Sequence, residues 1–297
     1  MFSTELFTQT LISGLMIGVL YALMALGITF IYSIVRMINW AMGEFYMLGS
    51  YIQYVAVAHA LGPKLWWLAV IISTAGTFLV GYLIEPILIK PMHARAMERR
   101  DDYATVVTIA LLLMLRSLAV AIGGPYQFRP ETNLPIMWVG PLPMEGARVA
   151  ACLCALLALA LFYVLMSKTW MGLALRATAQ NRVAAQTSGV DVFRLDAVAF
   201  GIGVALAGLA GALLAPLFLV YPTNGVVTTV KGFEIIVIGG LGSIPGALIG
   251  GLLLGVVESL GAAFISSPYQ NAYGFALVLL VLMVRPYGLF GERGREA

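Results

Sequence analysis

The sequence predicts an all-α polytopic membrane protein, and three observations predict it. Of its 297 residues, 61% are hydrophobic and only 10% are charged, whereas an ordinary soluble domain is nearer ~25% charged. The apolar residues fall in repeated runs of about 20, the length that a helix needs to cross a bilayer. These runs are apolar throughout and do not alternate every second residue, which excludes a membrane β-barrel.

Nine apolar segments follow one another along the chain. They lie at residues 8–33, 38–60, 66–89, 103–123, 147–167, 195–220, 228–242, 246–265 and 270–285. No basic stretch precedes the first segment, so we expect a retained span and not a cleaved signal. The segment at 228–242 is short for a full crossing and runs into GGLGSIPG, Gly239 to Gly246. The prediction is therefore a single transmembrane domain over residues 1–297 with 8–9 transmembrane helices.

Lysine and arginine indicate sidedness, because they are retained on the cytoplasmic side of a membrane. If nine segments cross from an outer N-terminus, the loops on one side carry twelve basic residues and those on the other side carry four. The twelve are Arg36, Lys90, Arg95, Arg99, Arg100, Lys168, Arg176, Arg182, Arg194, Arg285, Arg293 and Arg295, and the four are Lys64, Arg129, Arg148 and Lys231. We therefore expect the N-terminus outside and the C-terminus in the cytoplasm.

Two loops stand out from the apolar segments. The loop PMHARAMERRDD, Pro91 to Asp102, is expected on the cytoplasmic side. The longest outer loop, Gly123 to Gly146, is rich in proline and glycine and is expected to be irregular. It either contacts an external partner or only connects two spans.

The polar segment GLALRATAQNRVAAQTSGV, Gly172 to Val190, lies between two long apolar runs on the predicted cytoplasmic side. Helix-forming residues dominate it, and its end glycines permit sharp turns. Small or polar residues recur at i, i+4, i+7 and i+11, which gives a flat face; these are Ala177, Asn181, Ala184 and Ser188.

This segment predicts a short helix over residues 172–189 that lies along the cytoplasmic surface and docks onto a partner. A flat face lets another backbone or a cleft come close, and Arg176 and Arg182 on its two sides each offer a planar donor to a carboxylate or carbonyl. The alternative is an amphipathic helix lying on lipid headgroups. That alternative needs more large apolar anchors than Leu173 and Leu175 provide.

Charged residues also lie within or beside the apolar runs; they are Glu44, Glu85, Arg116, Glu234 and Glu258. Such residues are costly in a bilayer and are usually paired or functional. Arg116 sits in the middle of its run, so we expect it to meet a carboxylate on a facing helix, either Glu258 or Glu85. The contact is either a structural ion pair or part of a site for a solute that carries an ammonium and a carboxylate.

The stretch GGLGSIPGALIGGLLLG, Gly239 to Gly255, fails the G-x-G-x-x-G dinucleotide template, because Pro245 stands where the third glycine belongs. Its glycines recur at i+4, a spacing that lets membrane helices approach closely; they are Gly242, Gly246 and Gly250, and then Gly251 and Gly255. The backbone break between Gly242 and Gly246 must be buried in protein or line a cavity. The motif therefore serves helix packing alone, or packing together with gating.

Three stretches resemble one family of transporters. The segment from Gly172 follows the pattern G-x-A-x-R-A-x-x-x-N-x-x-A-A-x-x-x-G, which resembles the coupling-helix motif of the branched-chain amino acid (LivH-like) permeases of ABC transporters. INWAMGEFYMLGSY, Ile38 to Tyr51, and the glycine-rich stretch are similar to that family in the same order. One departure is Trp40, Ala41 and Met42, where the family often has Phe-Ala-His.

The resemblance implies a permease subunit of an ABC importer that carries branched-chain or other small amino acids across the bacterial inner membrane, with its N-terminus in the periplasm. Related permeases serve urea or short amides, so that substrate class stays open. The implied partners are two ABC ATPase subunits, a second permease that forms a heterodimer as a sister subunit, and a periplasmic solute-binding protein. The coupling helix would dock into the ATPase through Gly172, Arg176, Ala177, Asn181, Ala184 and Gly189.

Other functions find little support in the sequence. The phosphate-loop pattern G-x-x-x-x-G-K-[ST] is absent, so ATP would be used only by partner subunits and no cofactor of this chain's own is expected. The patterns H-E-x-x-H and G-x-S-x-G are absent too, so we expect neither a metal site nor an enzyme. A net charge of only +3 does not favour nucleic acid. The alternative from another class is an ion-coupled secondary transporter or channel that uses Glu258.

Overall fold

The computed structural model describes residues 4–94, 99–139 and 142–291. It confirms the predicted class, an all-α polytopic membrane protein. Seven of the described helical stretches are long and apolar enough to cross a membrane; they are Glu5–Val35, Pro63–Met92, Arg100–Gly123, Gly146–Lys168, Val192–Leu214, Ile244–Phe264 and Ser267–Val284.

The α-helices follow the predicted apolar segments. In chain order they are α1 (Thr4–Val35), α2 (Met42–Val55), α3 (Trp66–Ile84), α4 (Lys90–Ala94), α5 (Arg100–Gly123), α6 (Gly146–Lys168), α7 (Trp170–Gln180), α8 (Arg182–Thr187), α9 (Val192–Leu214), α10 (Asn224–Gly239), α11 (Ile244–Phe264) and α12 (Gln270–Val284). Two π-helical stretches, Ala56–Leu61 and Glu85–Ile89, extend α2 and α3, and 3₁₀ turns at Pro63–Leu65 and Ser267–Tyr269 precede α3 and α12.

Two of the nine predicted spans form shorter helices. Helix α2 has 14 residues and continues as a π-helix, and α10 has 16 residues. Helix α10 begins at Asn224, four residues before the predicted start at 228, because the apolar run alone did not mark the first turn of mixed residues. The predicted count of 8–9 spans therefore depends on α2 and α10, and it stays a prediction.

The centre of the bundle consists of α1 and α9, and glycines bring their neighbours into close contact. A Cβ added at Gly27 of α1 would lie 2.4 Å from the carbonyl oxygen of Gly203 in α9. A Cβ added at Gly49 of α2 would lie 2.2 Å from the carbonyl oxygen of Gly208 in α9. Such contacts leave no room for side chains between the backbones, which is the usual way that membrane helices pack.

The long loop after α5 is more regular than we expected. Its second half forms an antiparallel pair of strands, β1 (Met137–Val139) and β2 (Leu142–Met144). In its first half Phe128 exchanges backbone hydrogen bonds with Val220 and stacks on Tyr54, with ring centroids 4.5 Å apart. These contacts tie the loop onto α2 and onto the turn between α9 and α10.

Most basic residues gather at one end of the bundle, which we call the basic end. There the last residues of α1 meet α7, because the Arg36 guanidinium donates to the carbonyl of Ala179. The turn between α10 and α11 reaches the same place, since the Ser33 hydroxyl donates to the carbonyl of Gly242. Arginine and lysine side chains placed at this end by the fold include Arg36, Lys90, Arg176, Arg182, Arg194 and Arg285. The predicted positions Arg95, Arg293 and Arg295 lie outside the described residues.

Candidate functional site

The segment predicted as one helix over 172–189 is two helices, α7 and α8. Asn181 has an extended backbone, with φ −151° and ψ 104°, and it separates them. Its side-chain oxygen accepts a hydrogen bond from the backbone N–H of Ala184 at 3.0 Å, so Asn181 is the N-cap of α8. The expectation of an unbroken helix was wrong, because an asparagine cap competes with helix continuation. We call residues 170–189 the α7–α8 segment.

The predicted docking residues do not all face outward. Arg176, Asn181, Ala184 and Gly189 are exposed, and Ala177 is half-buried. Gly172 is buried, and a Cβ there would lie 2.3 Å from the carbonyl oxygen of Leu165 in α6. Gly172 thus permits the tight turn from α6 into α7 and cannot itself touch a partner.

The start of α7 carries large apolar side chains, and one of them, Trp170, lies before the predicted segment. Trp170 is 78% exposed and Leu173 is 49% exposed, whereas Leu175 is buried under the segment. Tryptophan at a helix end is typical of a membrane–water interface. The α7–α8 segment therefore has features of both predicted alternatives. The start of α7 offers an apolar anchor, as a helix on lipid headgroups needs, and α8 offers a polar exposed surface, as a helix docked on a partner needs. Val183, 71% exposed, stands out of that surface.

Two arginines fix the segment to the membrane helices. Arg36 follows α1 in a left-handed conformation with φ 59°, which no other non-glycine residue adopts within the described ranges. From there its guanidinium reaches the carbonyl of Ala179 at 3.1 Å. Arg182 forms an ion pair with Asp196 of α9 and also donates to the carbonyl of Ile34 in α1. The planar donor of Arg182 predicted from the sequence is thus used inside the chain.

A cavity of about 700 Å³ opens at the basic end beside α7. Its lining comes from the end of α1, from α7, from the turn between α10 and α11, and from the residues after α12; it includes Arg36, Arg176, Gly242, Pro245 and Phe290. The break in the glycine-rich stretch thus lines a cavity, as broken backbone in a membrane protein must. The same cavity separates this turn from the α7–α8 segment.

The predicted packing glycines divide into three roles. Gly246 and Gly250 pack on α10, since added Cβ atoms would lie 2.3 Å from the carbonyl oxygen of Gly239 and 2.7 Å from that of Ile235. Gly251 and Gly255 pack on α1, where added Cβ atoms would lie 2.6 Å from Ala22 and 2.5 Å from Gly18. Gly242 has φ +80° and no comparable contact, so it serves the turn.

An ion pair that the sequence did not predict joins α10 to α11. The ammonium of Lys231 in α10 lies 2.5 Å from Oε1 of Glu258 in α11. Tyr21 and Gln270 donate to the other oxygen of Glu258 at 3.3 and 3.4 Å. Lys231, which the sequence assigned to an outer loop, therefore lies within α10. Glu258 does not pair with Arg116, because Lys231 already occupies it.

Arg116 is half-buried and makes no ion pair among the residues that the structure describes. The prediction that it pairs with Glu258 or Glu85 was wrong. The carboxylate on which its charge acts is Glu44, at the start of α2. The apolar run alone could not select among carboxylates, because that choice depends on which helices α5 contacts.

Glu44 and Glu85 are fully buried, and neither oxygen of either carboxylate has a hydrogen-bond partner within the described part of the chain. Glu44 lies against the first turn of α10, where its carboxyl carbon would be 2.9 Å from a Cβ added at Gly225. Glu85 lies where α3 passes into its π-helical turn, and the charges of Asp196, Lys90 and Arg182 act on it. Buried carboxylates without donors are rare and mark both positions as functional candidates.

Several residues of the site were missed, each for a definite reason. Asp196 was not singled out from the sequence, and it lies one turn inside α9 and is fully buried. Thr169, which caps α7 by accepting from the N–H of Gly172, lies just before the motif. A Thr-x-x-Gly pattern after an apolar run was a readable cap signal, whereas the partner of Asp196 required the packed structure. No cluster of three His, Cys, Asp or Glu side chains suited to a metal occurs in the described ranges.

Comparisons with known proteins support the resemblance seen in the motifs. A family model described as "Branched-chain amino acid transport system / permease component" matches residues 10–284. The high-affinity branched-chain amino acid transport system permease protein LivH of Escherichia coli K12 is 33% identical over 302 residues, which cover 96% of each chain. The corresponding permease protein BraD of Pseudomonas aeruginosa is 34% identical over 300 residues, again 96% of each chain.

A more distant similarity reaches a sugar permease. The ribose import permease protein RbsC of Escherichia coli K12 is 28% identical over 192 residues, 61% of this chain and 60% of RbsC. No solved structure matches the chain.

Proposed function

Because this chain belongs to the family of permease components of branched-chain amino acid transport systems, we propose that it is the transmembrane permease subunit of an ABC importer for branched-chain amino acids. The high-affinity systems named for LivH and BraD supply the substrate class. The chain would form the path across the inner membrane, and it would use ATP only through its partners.

The partners follow from what the chain lacks and what it exposes. A chain without a phosphate loop depends on separate ATPase subunits for ATP-driven transport. We propose two such subunits, a sister permease and a periplasmic solute-binding protein. The basic end would face the cytoplasm, and the N-terminus would then lie in the periplasm and the C-terminus in the cytoplasm. No nucleic acid takes part.

The α7–α8 segment is the proposed docking site for an ATPase. The observation that carries this proposal is the combination of exposure and attachment. Arg176 and most of α8 face outward, while Arg36 and Arg182 fix the segment to α1 and α9. A surface that is both exposed and rigidly held can pass a partner's movement into the bundle. Asn181, Ala184 and Gly189 then lie on the contact surface, Ala177 at its edge, and Gly172 holds the turn beneath it.

Transport would follow from rigid-body rotation of the helices. Closure of the ATPases around ATP moves the α7–α8 segment, and this movement shifts the bundle between outward-open and inward-open states. The cavity at the basic end lies between that segment and the glycine-rich turn, so it would change shape in the same movement. The alternative of ion-coupled transport through Glu258 is weakened, because Lys231 already neutralises that carboxylate.

The experiment that tests this function is purification of the tagged full-length chain from its native membrane, with every companion identified by mass spectrometry. We expect an ATPase with a phosphate-loop motif and a second permease of the same family. The purified complex, reconstituted with its binding protein, should take up leucine only when ATP is supplied. The proposal would be overturned if the chain is recovered alone and takes up leucine in an ion gradient without any ATPase. The secondary transporter would then be the better interpretation.

A further inference from the structure

The α7–α8 segment contacts the membrane bundle through Arg36, through the buried Leu175 and through the guanidinium of Arg182. Its two terminal nitrogens donate to the two carboxylate oxygens of Asp196, and one of these nitrogens also donates to the carbonyl of Ile34 at 3.3 Å. Asp196 lies one turn inside α9, and Ile34 lies in the last turn of α1. A single side chain of α8 therefore holds the ends of the two central helices of the bundle.

The geometry of this contact makes it stiff. A bidentate arginine–carboxylate pair fixes direction as well as distance, which a lysine cannot do. The Asp196 side chain is fully buried and that of Arg182 is 28% exposed, so water screens the pair weakly. The pair thus differs from the nearby pair of Arg194 with Asp191, whose side chains are 84% and 52% exposed.

A third helix, α3, is linked to the same ion pair electrostatically, through the buried carboxylate of Glu85. Glu85 ends α3 and is fully buried without a hydrogen-bond donor in the described ranges. The charges of Asp196 and Arg182 both act on it. Arg182 is thus paired with Asp196 and, together with Lys90, acts on the buried Glu85, so a displacement of α8 changes the electrostatic surroundings of α3 as well as its contacts with α1 and α9.

We propose that Arg182 and Asp196 form the joint that transmits movement of the docked α7–α8 segment to the transmembrane helices. The inference rests on the proposed function and names the positioning residues behind its docking surface. Neither residue contacts the solute or ATP. Without the joint, the ATPases still bind and hydrolyse ATP and Arg36 still holds the segment to α1, but the movement of the segment no longer turns α9 with it.

The test uses the complete importer in proteoliposomes with its binding protein, and it measures ATP hydrolysis and leucine uptake in the same preparation. Arg182→Gln and Asp196→Asn should leave the ATPase bound and should lower the leucine moved per ATP by about tenfold or more, the scale of a coupling free energy between two sites. Arg182→Lys keeps the charge without the planar fork and should give an intermediate ratio. The exchange Arg182→Asp with Asp196→Arg should recover part of the ratio.

Arg194→Gln is the matched control, because it removes an arginine from the same end of α9 that is exposed and paired only on the surface. Its ratio of leucine to ATP should equal that of the unchanged importer. A purely structural role for the joint predicts that hydrolysis and uptake fall together, in proportion to the amount of assembled complex. That result, or an unchanged ratio in Arg182→Lys and Arg182→Gln, overturns the proposal.

The outcome is separable from failure of the proposed function. If the unchanged complex shows no ATP-dependent uptake, the importer itself is in question. If the unchanged complex is coupled and Arg182→Gln is coupled equally well, only the joint is rejected. Should Arg182→Gln fail to assemble, the ratios of Arg182→Lys and of the exchanged pair decide alone.

Discussion

Lys231 of α10 and Glu258 of α11 form an ion pair beside Tyr21 of α1. The pair has little access to solvent, since the side chain of Lys231 is 13% exposed and that of Glu258 is 1% exposed. The Lys231 ammonium also lies 5.4 Å from the centroid of the Tyr21 ring. The pair links α10 to α11, and α10 is one of the two helices too short to count as a span by length.

Loss of one partner of this pair should be far worse than loss of both. Lys231→Met leaves a buried carboxylate unpaired, and such changes cost about 3–5 kcal/mol, whereas replacement of both charges by neutral groups is often close to neutral. We expect Lys231→Met to lower the thermal midpoint of the detergent-solubilised protein strongly, and Lys231→Met with Glu258→Gln to recover most of it. Equal losses in the single and double variants would mean that the two charges are not coupled.

A second prediction concerns the contact between α11 and α1. Gly255→Ala should destabilise the fold by roughly 1–3 kcal/mol, the usual cost of overpacking, because its Cβ would lie 2.5 Å from the backbone of Gly18. The measurement is the midpoint of thermal unfolding, followed by size-exclusion fluorescence. Gly76→Ala in α3 is the control, since its Cβ would meet only the flexible end of Ile52 at 3.2 Å. Similar midpoints for the two variants would contradict the close packing of α11 on α1.

The apolar runs of the sequence were sufficient to predict the long apolar helices and their order, because such runs have one stable arrangement in a bilayer. It also placed Gly246, Gly250, Gly251 and Gly255 in helix contacts, since the i+4 spacing is itself a packing pattern. It could not distinguish the two faces of α11, one against α10 and one against α1. That assignment depends on which helices are neighbours in space.

The charged residues were harder to predict, for two physical reasons. Lys231 was assigned to an outer loop because a lysine near the start of an apolar run is normally counted with the adjoining loop, although the predicted segment 228–242 already included it. The partners of Arg116 and Glu258 depend on contacts between distant helices, which single-sequence periodicity does not encode. The role of Asn181 could have been predicted from the sequence, because asparagine is a common N-cap residue. The helix-forming residues on both sides of it obscured this signal.

The third prediction concerns the docking surface. Arg176→Glu should reduce recovery of the ATPase with the tagged permease by at least about tenfold, because it reverses a charge on an exposed face that would meet the partner. The membrane fold should be unchanged, since within the described ranges the Arg176 guanidinium makes only one hydrogen bond, to the carbonyl of Gly172 in its own helix. One affinity purification gives the recovery of the ATPase, and the thermal midpoint of the purified permease shows whether its fold is unchanged.

Arg194→Glu is the matched control for this change, because Arg194 is as exposed as Arg176 and lies at the same basic end. Its ATPase recovery should stay close to that of the unchanged chain. Normal recovery with Arg176→Glu would reject the α7–α8 segment as the docking site. Equal loss with both variants would point to overall charge at the basic end and not to this surface.

The last prediction concerns Glu44, which is fully buried beside the start of α10 without a hydrogen-bond donor in the described part of the chain. A buried carboxylate without a donor costs stability, and its persistence indicates a function that offsets the cost. Glu44→Gln removes the charge at nearly the same volume, so we expect an equal or higher thermal midpoint together with several-fold slower leucine uptake by the assembled importer. The Gly225 backbone of α10 leaves room for either side chain. A lower midpoint with normal uptake would instead assign Glu44 to the stability of the contact between α2 and α10.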